Sequence, residues 1–420
     1  MCCRGKRTII VLLAIAGCTS NGSAQQVLSW QQVRDKFLAA NPTLQASQLS
    51  IQESKANEIT AGLRPNPQLS FTTDQYQFFP AGGQPFRPLS NAQMIPVISE
   101  LWERKHKRQF RMESARLATT GTEADTADLQ RNLFFSLRDS FNRILQAKSL
   151  LELAQENLTY YDRVISLNRE RFNAGDISKV DFQRVELQRV QFESDLANAE
   201  VNLRTAKIQI IALLNERTPL DRFDVSGNFD SSEGILLDSE LRQMALDSRP
   251  DLKSAGTAIE RARVENKLAF ANGSVDPTLG AEYLWNSSVN NTLGLSFSIP
   301  LRIFDRNQGE KARTALEIRR TERLAESLVA GVYRDVDSAY AQVESVRTLL
   351  RPYKQKYLEE SKDVRDLISF SFSNGGASLL EFLDAQKSYR DTQLSYRNLV
   401  GSYLSSLAQL SLAVGQEVTP

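Results

Sequence analysis

One turn is written twice in this chain, and that duplication limits what it can fold into. "RFNAGDISKVDFQRVE" runs from Arg171 to Glu186, and "SFSNGGASLLEFLDAQ" from Ser371 to Gln386. Phe172, Gly175, Ser178, Asp181 and Phe182 of the first line up with Phe372, Gly375, Ser378, Glu381 and Phe382 of the second. The echo extends further. "NPTLQASQLSIQESKANEITAG" from Asn41 is answered by "RPDLKSAGTAIERARVENKLAF" from Arg249, "RPNPQLSF" by "SVDPTLGAEY", and "QMIPVI" by "FSIPLR". Landmarks recur at an offset of 200 to 210 positions, the mark of a tandem duplication. The join, "NERTPLDRFDVSGNFDSSEG" (215–234), is rich in turn formers and reads as a linker or small irregular layer.

Each copy holds a long helical stretch. No Pro occurs from Leu101 to Phe172, and Leu137, Ile144, Leu151, Leu158, Ile165 and Phe172 recur every seven residues. Val336, Val343, Leu350, Tyr357 and Val364 answer in the second copy, where Pro352 predicts a kink. Phe382, Tyr389, Tyr396, Tyr403 and Leu410 step likewise after the second turn. A helix of about 70 residues is about 105 Å long, so the repeated turn is the tip of a long antiparallel hairpin. Gly175 and Gly375 supply the positive φ that ends a helix. Ser178 and Ser378 are placed to cap the return helix, with Asp181 and Glu381 as capping-box acids. Phe172 and Phe382 are expected to pack the hairpin end.

Each copy also holds a strand pair, about 67–79 with 90–98 and about 277–287 with 291–301. Leu293, Leu295, Phe297, Ile299 and Leu301 alternate with small or polar residues, one apolar face against one polar. Strands of about ten residues suit a membrane barrel, and from the strands alone a soluble antiparallel sheet suits them equally. The expected fold is mainly α with a small β part. A first repeat covers 18–214 with its hairpin at about 101–214. A linker covers 215–240, and a second repeat 241–420 with its hairpin at about 305–415.

The first 17 residues read as an export signal, a basic "MCCRGKR" followed by the apolar "TIIVLLAIA", too short to span a bilayer. "IAGC" then resembles a lipobox with Cys18 as the acylated residue; cleavage after "GSA", at Ala24, is the rival reading. Cys2, Cys3 and Cys18 are the three cysteines, so the exported chain has none left for a disulfide. Loss of residues 1–17 removes Arg4, Lys6 and Arg7 and leaves 48 basic against 50 acidic residues. That balance lacks the basic excess of a nucleic-acid binder. A mean hydropathy of −0.35 excludes a bundle of membrane helices. The single histidine, His106, lies in "WERKHKRQ" and reads as a solvated helix residue, unable by itself to make a His/Cys metal site.

The duplication, the strand pairs, both tips and "SIPLRIFDRNQGEKARTALE" (298–317) together resemble the TolC-type outer-membrane channel proteins. The last motif resembles their CzcC-like, heavy-metal branch. The resemblance implies a bacterial outer-membrane protein reaching into the periplasm. It implies a homotrimer in which each chain gives four strands to one twelve-stranded barrel in lipid and its hairpins to one periplasmic α-barrel. The implied partners are a periplasmic adaptor and an inner-membrane transporter of the resistance-nodulation-division type, and no cofactor is implied. Arg171, Phe172, Gly175, Ser178, Gly375 and Ser378 fall at the tips that would meet the adaptor. "LLEFLDAQ" places Glu381 and Asp384 at the acidic rings of the periplasmic gate, with Asp181 as the first-copy counterpart. The family's Tyr and Arg gate positions fall on Phe372 and Ala377, which lack the hydroxyl and the guanidinium. "SELWERKHKR" (99–108) also stands where the branch has Gly-Gly-Lys-Arg.

No Gly-rich phosphate loop, His-Glu-x-x-His or Gly-x-Ser-x-Gly occurs, so nothing in the sequence suggests an enzyme. The reading is an efflux exit duct, possession of heavy-metal cargo being implied only by the branch. The alternatives are a type I protein-secretion duct and, in another class, a structural coiled-coil periplasmic lipoprotein. The strand pairs count against the last.

Overall fold

The computed structural model describes residues 26–76, 78–79, 82–83, 88–89, 92–230, 238–286 and 290–418. The signal segment and Cys18 lie outside them. In chain order, β1 (Gln26–Leu28), α1 (Trp30–Ala40) and α2 (Pro42–Gly62) lead to β2 (Gln68–Asp74) and β3 (Gln93–Leu101). The first hairpin follows as α3 (Lys107–Ala174) and α4 (Lys179–Leu213). Then come β4 (Phe223–Val225), α5 (Asp238–Ser248), α6 (Pro250–Asn272), β5 (Thr278–Asn286) and β6 (Thr292–Ser298). The second hairpin is α7 (Gln308–Pro352), a π turn (Tyr353–Tyr357), α8 (Leu358–Ser373) and α9 (Leu379–Val414).

The four longer strands form one antiparallel sheet in the order β2-β3-β5-β6, so the copies join through β3 and β5. Leu69, Ile98, Ala281 and Leu295 form one cross-strand row, and Gln68, Ser99, Gly280 and Ser296 the next. The first row belongs to an apolar face with Phe71, Tyr283, Leu293 and Phe297, all exposed; Leu295 is 87% exposed. The second row belongs to the opposite face, where Ser70, Thr72, Glu282 and Gly294 sit with Ile95, Val97 and Leu284.

Two strand ends differ from expectation. β3 runs to Leu101, and the helix expected from there begins only at Lys107. Lys105 and His106 take left-handed φ of 59° between them, so His106 sits at the helix N-cap rather than inside the helix. The buried Lys107 ammonium reaches Asp276 Oδ2 at 2.5 Å, and the Arg104 N–H donates to Asp276 Oδ1 at 2.9 Å. This turn therefore docks the first sheet-to-helix junction onto the second copy. β6 stops at Ser298, just before Pro300, which cannot donate to a ladder.

Below the sheet, the join between copies is more ordered than a linker. β4 pairs in parallel with β1, Val27 opposite Asp224, and clasps the N-terminal segment to the middle of the chain. Leu28, Val33, Phe37, Leu137, Phe141, Ile144, Ile210 and Phe223 bury one core there. Val336, Val343, Leu350, Val400, Tyr403 and Leu410 bury its counterpart in the second copy.

The heptad seam holds along α3 and α9, but not along the whole second arm. Val336, Val343 and Leu350 are buried, whereas Tyr357 and Val364 are exposed. Pro352 has no N–H to give the preceding turn, and the helix answers with the π turn at 353–357. A π turn holds one residue more than an α turn. The inward set accordingly slips by one, to Leu358, Arg365 and the buried Phe372.

Candidate functional site at the paired tips

Both tips are built by the same backbone bonds. Gly175 takes φ 86° and Gly375 φ 77°. Asp176 N–H donates to Arg171 O at 2.9 Å, and Gly376 N–H to Ser371 O at 2.8 Å; Gly175 and Gly375 donate to Phe172 O and Phe372 O. This is the paired closure of a Schellman ending, which needs a left-handed residue at the reversal. Three residues past that glycine, Ser178 and Ser378 accept from the N–H groups of Asp181 and Glu381 at 3.1 and 3.3 Å.

The caps differ by one methylene. Glu381 reaches back to the Ser378 N–H at 2.7 Å and completes a capping box. Asp181 is too short for that and meets only the Ser178 hydroxyl, at 2.7 Å. The Ser378 N–H and hydroxyl hold the Glu381 carboxyl below its ordinary value of 4.5. Within the chain, Glu381 is first of all a cap. Asp384, one turn on, is exposed.

Each hairpin closes on its own aromatic pair. Phe172 stacks on Phe182 with centroids 5.3 Å apart, and Phe372 on Phe382 at 4.7 Å. Phe172 and Phe382, expected to pack the hairpin end, each do so against a local partner. Phe372, placed at a gate position by the resemblance, is 7% exposed and serves as packing in this chain. Arg171 joins the tips: its Nη1 donates to Phe372 O at 2.9 Å.

A polar knot above the tips escaped the sequence reading. Buried Gln386 donates to Tyr160 Oη at 3.2 Å and to Ser369 Oγ at 3.1 Å, and those two hydroxyls lie 3.1 Å apart. Arg365 lies over Tyr160 and Tyr389, 5.0 and 4.0 Å from their centroids. The available signal was Gln386 itself, a polar residue one turn after Phe382 on the packing face. Among the described residues, no group of three or more His, Cys, Asp or Glu is placed to hold a metal ion.

A duplicated pair of hairpins, with its reversals pinned at one end and an apolar-faced sheet at the other, defines a channel subunit of the cell envelope. The chain belongs to the outer membrane efflux protein family, whose model matches residues 33–216 and 241–416. It is 23% identical over 385 residues to the cobalt-zinc-cadmium resistance protein CzcC of Cupriavidus metallidurans, covering 90% of this chain and 87% of that one. It is 21% identical to the outer membrane protein TolC of Escherichia coli, covering 97% and 85%. Among solved structures, CusC superposes with a TM-score of 0.79 at 20% identity over 93% of this chain and 95% of that one. The outer-membrane channel OprN gives 0.77 at 15%, over 92% and 89%. The TolC-type resemblance read from the tips is thereby borne out, and with it an outer-membrane efflux protein extending into the periplasm.

Proposed function

We propose that this chain is the exit duct of a tripartite efflux pump, working as a homotrimer that conducts its cargo passively. A periplasmic adaptor meets the tips, and an inner-membrane transporter of the resistance-nodulation-division type supplies the cargo. The likeness to CzcC supports heavy-metal cations as that cargo.

The four-stranded sheet carries this reading. Its outer strands β2 and β6 each have one unpaired edge among the described residues, and one face is apolar and exposed. Open edges are costly in lipid, where no water satisfies the backbone, so copies must share one barrel. The helices add support. Exposed Val180, Leu187, Val201 and Ile208 sit at heptad spacing on α4. Exposed Tyr357, Val364, Leu367 and Phe370 line the other hairpin. These stripes suit packing between copies.

The purified protein is expected to run as a trimer in detergent and to open pores in planar bilayers. A strain lacking it should lose tolerance to cobalt, zinc or cadmium and regain it on complementation. A monomer soluble without detergent would refute the shared barrel. Loss of protein export with metal tolerance intact would assign the chain to a secretion system instead.

A further inference from the structure

Far from the tips, a cleft of 640 Å³ opens where α1, α3 and the end of α9 meet. Trp30, Phe134, Leu404 and Leu407 supply its apolar walls, and Arg34 and Arg138 its charge.

Its charges do not cancel. Arg131, also in the wall, is taken up by Asp128 at 2.6 Å and by the Leu412 carbonyl at 2.7 Å. Asp230 is held by Lys354 at 3.1 Å. Arg34 has no ion pair among the described residues, and its buried Nε finds no hydrogen-bond partner. Arg138 lies 4.5 Å from the centroid of Trp30, which meets Phe141 edge-on at 5.4 Å. Burial lowers the pKa of Arg138, with Glu417 the one carboxylate acting against that effect. Among the described residues, Arg34 and Arg138 thus share the cleft with one carboxylate, Glu417, beside the Asp230 already held by Lys354. A buried guanidinium N–H without an acceptor is costly, and an oxyanion is the ligand that removes the cost.

We propose that this cleft binds a small amphiphilic organic anion, its carboxylate, sulfonate or phosphate head on Arg34 and Arg138 and its apolar body against Trp30, Phe134 and Leu407. The guanidiniums fix the head, and the aromatic and leucine walls exclude water from the body. An uncharged molecule of the same shape gains only the second part. A metal cation gains neither, so the site is separate from any metal cargo of the duct.

Trp30 provides the readout. The whole protein in lipid nanodiscs is titrated with 1-anilinonaphthalene-8-sulfonate, and energy transfer from tryptophan to the probe is recorded. The Trp30→Phe variant gives the baseline, so that only probe beside Trp30 is counted. The expected signal saturates at one probe per chain. Arg34→Gln with Arg138→Gln should weaken it about tenfold or more, as loss of a charged hydrogen bond does. The double Lys variant, which keeps both charges, should retain much of the affinity and stands in if the Gln pair does not fold. Uncharged N-phenyl-1-naphthylamine should bind weakly and ignore the Arg substitutions. A signal that does not saturate, or that survives the Gln pair unchanged, would overturn the proposal. So would a neutral probe that binds as tightly as the sulfonate.

Discussion

Arg171 in the first tip holds Phe372 in the second by backbone and by ring: its guanidinium donates to the Phe372 carbonyl and lies 5.1 Å from the ring centroid. A hydrogen bond from a charged guanidinium is worth about 1.5–3 kcal/mol and a cation–π contact about 0.5–1 kcal/mol, so Arg171→Ala removes about 2–4 kcal/mol of coupling between reversals 201 residues apart. Spin labels at exposed Asn173 and Asn374 should show a broader distance distribution in that variant. An unchanged distribution would mean that the hairpins are held together elsewhere, with the Gln386 knot the first candidate.

Gly375 tests backbone against space. A Cβ there meets nothing within 4 Å, so the only obstacle is the φ of 77°. Left-handed backbone costs an L-residue about 1–2 kcal/mol, less for Asn. Gly375→Val should reduce adaptor crosslinking and pump-dependent tolerance, and Gly375→Asn should reduce them far less. Gly175, with φ 86° and equal space, should behave the same way. Equal loss from Val and Asn would point to side-chain contact rather than φ.

The caps should be unequal. Ser378→Ala is expected to cost about 1 kcal/mol and to speed amide exchange in the first turn of α9. Ser178→Ala should do less to α4, because no complete box is lost there. Asp181→Glu adds the missing methylene and should slow exchange at Ser178. Exchange at Ser178 that does not change would show that chain length is not what limits the first box.

Glu381 and Asp384 should separate in function. With the Glu381 pKa lowered in the folded tip, its capping contribution is present above the ordinary value of 4.5 and is lost as pH falls through the folded value. The second tip should loosen in acid, and Glu381→Gln should abolish that response. Asp384 is free of the cap, so Asp384→Asn should weaken cation selectivity and divalent block more than Glu381→Gln. Reversal potentials in a salt gradient decide it, and equal effects would place both carboxylates in the gate.

The N-terminus can be tested by reach. Trp30 packs on Phe141, 34 residues or about 50 Å of helix below Lys107. Twelve residues separate Cys18 from Trp30, about 40 Å when fully extended. A lipidated Cys18 would fall short of the sheet while Trp30 keeps its place, whereas cleavage after Ala24 asks nothing of α1. Intact-mass analysis should therefore give Gln25 as the first residue. A diacylglyceryl-modified Cys18 would show that β1 and α1 leave their positions in the mature protein.

How much of this was legible followed from how local the signals are. The tips could be read because Gly, Ser and an acid at fixed spacing state a helix end and a cap within ten residues. The β1–β4 clasp could not, since three-residue strands such as Gln26–Leu28 have no period to detect. The slip after Pro352 was hidden by the apolar Tyr357 and Val364, which continue the heptad in sequence while facing outward in space. Glu381 and Asp181 look equivalent in the alignment, and only the reach of a side chain separates them. Arg171 was placed at the tip, but its contact with Phe372 spans the two copies, a separation no local pattern reports.

The π turn at Tyr353–Tyr357 leaves the second arm with one residue of slack that α3 does not have. Closing it would rotate everything from Leu358 to Ser373 by about 100°, turning Tyr357 and Val364 inward and Phe372 out from its stack on Phe382. That rotation would also break the Ser369 bonds to Tyr160 and Gln386 and the hold of Arg171 on Phe372. Duplication gave this chain two arms of similar sequence, and the π turn after a single proline has set one of them a residue out of step with the other. That arm ends at the tip carrying Glu381 and Asp384.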